Sequence, residues 1–229
     1  MVYSDTRCYT ISALSSIGLF MNIKRLRAVE HAFLTRYPEG FANTELLQIA
    51  KKHQITKRHE QAQACFKPEN FSVPLKVVDD MVTQISRSSL VSMFEKPRLK
   101  DWVKVMSDME KESYALALHN MLHGNQAQGF TTMCSLLEAG KIAKWPLLTV
   151  LPYYFTPQTE VFVKPTTTKK IINFFELEGL SYRPKPSYEF YSTYKSRISE
   201  MKSKVNASLQ GDNAAFTGFL MMALDMPSL

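Results

Sequence analysis

Prolines mark the predicted starts of several helices, and this feature restricts the fold more than any other. Pro74, Pro97, Pro146 and Pro165 each introduce a stretch whose apolar residues suit a helix. Proline is tolerated in the first turn of a helix because its missing N–H would have no intrahelical partner. The chain also has only 8 glycines among 229 residues, which disfavours a turn-rich β fold. The sequence therefore predicts an all-α protein of about ten helices.

Capping residues predict further helix boundaries. Ser107 and Glu110 have the spacing of a capping box, and Gly124 stands where a left-handed residue would end the same helix. The uniformly apolar segment KWPLLTVLPYYF, residues 144–155, is expected at the centre of the core. Other predicted N-caps are Asn43, Ser72 and Asp212, and a long amphipathic helix is predicted from Ser187.

The periodic pattern begins only at Met21. We therefore predict one compact all-α domain over residues 21–229, preceded by a dispensable extension over residues 1–20. Gly124 and Asn125 form the one plausible seam, which would divide the domain into lobes at residues 21–124 and 125–229.

Cysteine usage and hydropathy bear on the cellular location. Cys8, Cys65 and Cys134 are odd in number and have no CxxC spacing, so neither a disulfide framework nor a zinc ribbon is indicated. No apolar run approaches the roughly 18 to 20 residues that cross a bilayer. We predict a cytoplasmic protein that has no membrane partner.

The basic excess is concentrated in one part of the chain. The formal net charge is +7, and residues 141–204 carry 11 basic and 5 acidic side chains. A basic region favours partners that carry phosphate groups. This distribution predicts nucleic acid as a partner of the C-terminal half.

The stretch FVKPTTTKK, residues 162–170, is the predicted centre of that contact. Pro165 would start a helix, Phe162 would anchor the stretch in the core, and the first amides of the helix, beside three threonine hydroxyls, would face an anion at the surface. The alternative interpretation is a well-capped helix whose lysines are only solvated. The predicted nucleic-acid or anion-binding residues are Lys164, Thr166, Thr167, Thr168, Lys169, Lys170, Lys141, Lys144, Arg183 and Lys185.

Two resemblances accompany these residues. The segments KWPLLTVLPYY, VFVKPTTTKKIINFFELEGLSYRPKPSYEFY and DNAAFTGFLMMA resemble a family of uncharacterised bacterial cytoplasmic proteins, over about Met21 to Ala223. The order EAGKIAKWPLLTVL followed by VFVKPTTTKKIINFF is distantly similar to helix-hairpin-helix proteins of the DNA glycosylase type. That likeness implies a hairpin around Gly140 that contacts a DNA phosphate. Val163-Lys164-Pro165 stands where the catalytic carboxylate would be, so no glycosylase activity is implied.

Other chemistries are less favoured. His119 and His123 lie one helical turn apart, but no third ligand accompanies them, so we predict no metal. No phosphate loop, nucleophile elbow or Cys-His pairing is recognisable, and we predict neither catalytic residues nor a cofactor. An enzyme acting on a phosphorylated substrate near Lys164 would lack a general base.

Two surfaces leave alternatives open. The tyrosines at 182, 188, 191 and 194 alternate with basic residues, which suits base stacking, although such spacing is more typical of core residues with a wet hydroxyl. The tail over residues 214–226 is apolar nearly all round. It predicts, as the alternative function, a homo-oligomer or protein-interaction module in which a partner covers that helix.

Overall fold

A computed structural model of the chain describes residues 21–224, without the side chains of residues 52, 53 and 223. Over this range the chain is helical and no strand is assigned, which confirms the all-α prediction. The predicted extension over residues 1–20 lies outside the described residues.

The α-helices are α1 (Ile23–Arg36), α2 (Thr44–His53), α3 (Ile55–Cys65), α4 (Pro74–Arg87), α5 (Glu95–Val105), α6 (Asp108–His123), α7 (Gln126–Ala139), α8 (Trp145–Phe155), α9 (Pro165–Phe174), α10 (Tyr188–Ser203) and α11 (Asn213–Leu224). Short 3-10 helices cover Gly40–Ala42, Pro68–Ser72 and Ala207–Leu209.

Most predicted caps are confirmed. In the capping box of α6, the Ser107 hydroxyl accepts from the Glu110 amide at 3.3 Å, and the Glu110 carboxylate accepts from the Ser107 amide at 2.8 Å. The predicted caps at Asn43 and Asp212 also accept backbone hydrogen bonds, and in the structure Ser187 caps α10 in the same way. The cap at Ser72 is wrong, because Ser72 ends a 3-10 helix and the N-cap of α4 is Val73.

The connection between α6 and α7 is short and consists of Gly124 and Asn125. Gly124 has φ −133° and ψ −138°, so the predicted left-handed conformation is wrong. Asn125 already caps α7, and the chain therefore has no room for a longer C-terminal turn. A Cβ atom at Gly129 would lie 2.6 Å from the Ala117 carbonyl oxygen, so this glycine allows α7 to pack directly on the backbone of α6.

The predicted central position of α8 is confirmed. Its residues are buried up to Tyr154, and it packs against α3, α4, α6 and α7. One buried hydrophobic cluster surrounds it and runs from Met21 to Leu220. The Thr149 hydroxyl donates to the Trp145 carbonyl at 2.8 Å and accepts from the Val163 amide at 3.1 Å. This contact fixes the segment before α9 against the central helix.

Phe162 is not the anchor of that segment. Val161 and Val163 are 1% and 0% exposed, whereas Phe162 is only partly buried and contacts the ring of Tyr153 at 6.0 Å. Alternate residues of an extended chain point in opposite directions, so the two valines lie inside the core together, while Phe162 packs against it and is only partly buried. The prediction that Phe162 anchors the stretch is therefore corrected to these valines.

The last helix, α11, is covered by its own chain. Phe216, Phe219 and Leu220 are buried, and the Phe219 ring contacts the Phe33 ring of α1 in an edge-to-face geometry at 5.0 Å. Helices α9 and α10 also pack against α11. The alternative function assumed that an external partner covers this helix. Over residues 213–222, helices of the same chain cover it instead. None of the described helices combines the length and hydropathy of a membrane span.

Candidate nucleic-acid interface

The connection between α7 and α8 places two of the predicted lysines at the surface. The Ile142 amide donates to the Leu137 carbonyl at 2.9 Å, and the Lys141 amide donates to the Glu138 carbonyl at 2.8 Å. This is the Schellman pattern, in which the residue after the cap takes a left-handed conformation. Lys141 occupies that position with φ 55°, where glycine is usual. Lys144 follows as the N-cap of α8.

A packing contact explains why Gly140 lies one residue before the left-handed position of this turn. A Cβ atom at Gly140 would lie 2.6 Å from the indole ring of Trp102. Real Cβ atoms do not approach a ring so closely, and the glycine therefore lets α5 pack against the end of α7. Packing against Trp102 therefore explains why residue 140 is a glycine, and no phosphate contact is needed to explain it. Lys141 takes the left-handed conformation instead.

The loop between α9 and α10 lies beside this connection. The Trp145 indole N–H donates to the Arg183 carbonyl at 2.8 Å, and the Lys185 ammonium pairs with the Glu138 carboxylate at 2.9 Å. Pro186 is buried, so the loop is held at both ends of its basic stretch. The side chains of Arg183 and Lys185 remain exposed.

A shallow depression of about 280 Å³ separates the two segments. From α5, the Arg98 guanidinium donates to the Lys141 carbonyl at 3.1 Å and adds a positive charge nearby. Burial raises the pKa of the Glu95 carboxyl, and the charges of Lys144 and Arg98 offset part of that rise. The lining residues of this first depression are Glu138, Lys141, Ala143, Lys144, Pro184 and Lys185.

The start of α9 differs from the expected arrangement. Lys164 is the N-cap and Pro165 the first helical residue, as predicted. Thr167 and Thr168 are buried, at 7% and 0% exposure, so the expectation of three hydroxyls at one surface is wrong for both. They belong, with Ile171, to the face of α9 that packs against the core, because residues three and four apart share a helix face.

Specific contacts confirm the inward direction of these threonines. The Thr167 hydroxyl lies 3.7 Å from the Met221 sulfur of α11, and the Thr168 hydroxyl lies against the phenol of Tyr194. The Thr168 amide donates to the Lys164 carbonyl at 2.8 Å, which leaves only the amides of Thr166 and Thr167 for an anion. Thr166, Lys169 and Lys170 are exposed.

Lys169, on α9, contacts Tyr182 in the loop between α9 and α10. Its ammonium lies 4.8 Å from the centre of the Tyr182 ring, over the ring face. The two side chains border a second depression, of about 290 Å³, which is lined by residues 180–182 at the start of the loop, whereas Pro184 and Lys185 line the first. Lys164, Thr166 and Lys170 line neither depression.

The fold thus gathers five predicted residues around one loop. We call them the basic surface: Lys141, Lys144, Lys169, Arg183 and Lys185. Within residues 21–224, no ion pair engages Lys141, Lys144 or Arg183, so their charges are available to a ligand. Arg98 belongs to the same region and was missed, because nothing local in α5 indicates a contact 43 positions away.

A buried polar network was also missed. The Glu160 carboxylate accepts from the Tyr191 hydroxyl at 2.6 Å, the Lys195 ammonium at 2.9 Å and the Gln126 amide at 3.1 Å. Burial and the charge of Glu160 raise the pKa of Tyr191 well above its ordinary value. The partners come from α7, α10 and the segment before α9, so the network joins these elements. No sequence motif indicates it.

The remaining candidates have structural surroundings. The rings of His119 and His123 lie 5.4 Å apart between Phe71 and Phe155, and His123 Nε2 contacts the Phe66 carbonyl at 2.8 Å. In the described part of the chain, no three His, Cys, Asp or Glu side chains are placed to hold a metal. Tyr191 and Tyr194 are fully buried, which confirms them as core residues, but the expected wet hydroxyl is wrong for Tyr191, whose hydroxyl donates to the buried Glu160.

The described chain is an all-α protein with a cationic surface that borders two shallow depressions. No protein-family model matches it, and comparisons with curated proteins and with solved structures give no significant match. Both resemblances noted from the sequence therefore stay predictions.

Proposed function

We propose that the protein binds nucleic acid through contacts of the basic surface with phosphate groups. The supporting observation is the gathering of cations from three separate segments around residues 181–185, at two depressions that both include residues of this loop. Lysine and arginine side chains without ion-pair partners release counterions when they contact phosphates, which makes binding favourable at low salt. The binding needs no catalytic group and no cofactor.

The conformation of Lys141 also supports this proposal. A lysine in a left-handed conformation costs free energy that a glycine would avoid, and such outliers are concentrated at functional positions. The Lys141 side chain is exposed and directed away from the core. Its charge, which borders the first depression, is the feature that a glycine would not provide.

A salt titration tests the proposal. Fluorescence anisotropy with duplex and single-stranded DNA and RNA should show affinity that falls steeply as salt increases. The double variant Lys141→Gln/Lys144→Gln should bind more weakly. Its salt slope should be lower by up to about 1.8 on duplex DNA, since each lost phosphate contact contributes about 0.9.

A matched control separates local contacts from net charge. The variant Lys57→Gln/Lys67→Gln removes the same charge from exposed side chains at the two ends of the α3 region, which line neither depression. It should bind almost like the parent protein. The proposal is wrong if the parent binds no nucleic acid at about 50 mM salt, or if both double variants lose affinity equally.

A further inference from the structure

The second depression has the size and lining of a site for one planar ring. Its volume of about 290 Å³ lies at the lower limit of small-molecule sites. Ile172 and Leu180 supply apolar walls, Tyr182 supplies an aromatic ring, and Asn173, Ser181 and Lys169 supply polar groups. A site of this kind suits a ligand that is flat, aromatic and polar at its edge.

Neighbouring aromatic rings fix the orientation of the Tyr182 ring, but the group over its face is a flexible side chain. It contacts the Trp145 ring at 6.5 Å and the edge of the Phe190 ring at 5.9 Å, and these contacts fix its orientation. The group over its face is the Lys169 ammonium, at the end of an exposed and flexible side chain. A cation–π contact at an exposed site is weak, so a rotamer change of Lys169 can uncover the ring.

Polar groups around the depression are available to a ligand. Within residues 21–224, no hydrogen-bond partner engages the Asn173 amide, the Ser181 hydroxyl or the Tyr182 hydroxyl. The amide both donates and accepts, and so do the hydroxyls. This combination matches the mixed donors and acceptors at the edge of a nucleobase.

We propose that the second depression binds one unpaired base of a single-stranded nucleic acid, stacked on Tyr182. This inference rests on the proposed function and specifies its ligand. The base takes the place of the Lys169 ammonium, which then contacts a neighbouring phosphate. A base inside a duplex cannot reach the ring without leaving its stack, so single strands are the preferred ligands. The strand continues past Arg183 toward Lys141 and Lys144.

Strands with and without bases test the stacking directly. Anisotropy is measured with a 12-nucleotide DNA strand, the same strand built entirely of abasic sites, the matching RNA strand and a blunt duplex. The natural strands should bind about tenfold more tightly than the abasic strand, although the phosphate number is equal. Tyr182→Leu should remove this difference, and Tyr182→Phe should retain it because the ring remains.

A spectroscopic measurement on the parent protein needs no variant. The fluorescence of 2-aminopurine in the strand should fall on binding, since the base stacks on an aromatic ring. Lys170→Gln should preserve the quenching, since Lys170 does not line the depression and the Tyr182 ring remains in place. Unchanged 2-aminopurine fluorescence in the bound strand would overturn the inference even if Tyr182→Leu did not fold.

The outcomes distinguish the inference from the function on which it rests. Equal affinity for natural and abasic strands would overturn base stacking and leave phosphate binding intact. Base dependence that survives in a folded Tyr182→Leu variant would also overturn it. If no strand and no duplex binds, both proposals are wrong. If DNA and RNA bind equally, the site takes an unpaired base without reading the sugar.

Discussion

Replacing Lys141 by glycine should stabilise the protein and weaken its binding to nucleic acid. Lys141 has φ 55° at the left-handed position after α7, and its side chain is exposed. In the hydrogen bonds of this turn Lys141 takes part only through its backbone atoms, including the one that its carbonyl accepts from the Arg98 guanidinium. The substitution therefore removes a charge and a conformational cost without removing a stabilising contact among the described residues.

The expected magnitude follows from two opposing terms. A left-handed conformation costs a residue other than glycine about 1–2 kcal/mol. Glycine loses more backbone entropy on folding, which offsets roughly 0.5–1 kcal/mol of this gain. With the middle of each range, the free energy of unfolding should thus rise by about 0.75 kcal/mol, which corresponds to a melting temperature about 1.5–3 °C higher for a chain of this size.

Urea and thermal unfolding measure the stability, and a salt titration measures the affinity. Lys141→Ala is the matched control, because it removes the same charge and keeps the strained backbone. Both variants should lose the same affinity, while only the glycine variant gains stability. If Lys141→Gly unfolds at the same urea concentration as Lys141→Ala, the reasoning about backbone strain is refuted. If both bind like the parent protein, Lys141 does not contact phosphate.

Three further predictions concern stability. Gly129→Ala should destabilise the protein by about 1–3 kcal/mol in urea unfolding, because the new Cβ would meet the rigid backbone of α6 at 2.6 Å. Glu160→Ala should cost about 3 kcal/mol by the same measurement, because it leaves the partly buried Lys195 ammonium without its partner; a change below 1 kcal/mol would contradict this role. Hydrogen bonds from Ser107 lower the pKa of Glu110 below its ordinary 4.5. The stability that Glu110 contributes is therefore present above this pH and lost as the pH falls through its lowered pKa, so Glu110→Gln should flatten the decline of the urea midpoint from about pH 6 to about pH 3.

Local signals in the sequence predicted most of the helices. Caps such as Ser107 and Ser187 act within one turn, and their hydrogen bonds depend on only a few neighbouring residues. The central position of α8 also follows from its own composition, since a helix that is apolar all round has no face for water. Such features need no knowledge of the tertiary contacts.

The arrangement of the site depended on contacts that no local pattern reveals. The sequence placed the three threonines of α9 together at the surface, but the core beside Met221 and Tyr194 determines which helix face is buried. The same reason applies to Glu160, whose partners lie 31 to 35 positions away in both directions along the chain. Charge concentration indicated that residues 141–204 are rich in cations, and only the fold showed which cations adjoin one another.

The packing of α1 against α11 has a consequence for synthesis of the protein in the cell. Phe33 is made 186 residues before its ring partner Phe219. At about 5–20 residues per second, the apolar face of α1 waits for about 10–40 s until Phe219 is made, and longer until that residue leaves the ribosome. During this interval the nascent chain exposes Leu26, Val29 and Phe33, which makes it a candidate client for ribosome-associated chaperones.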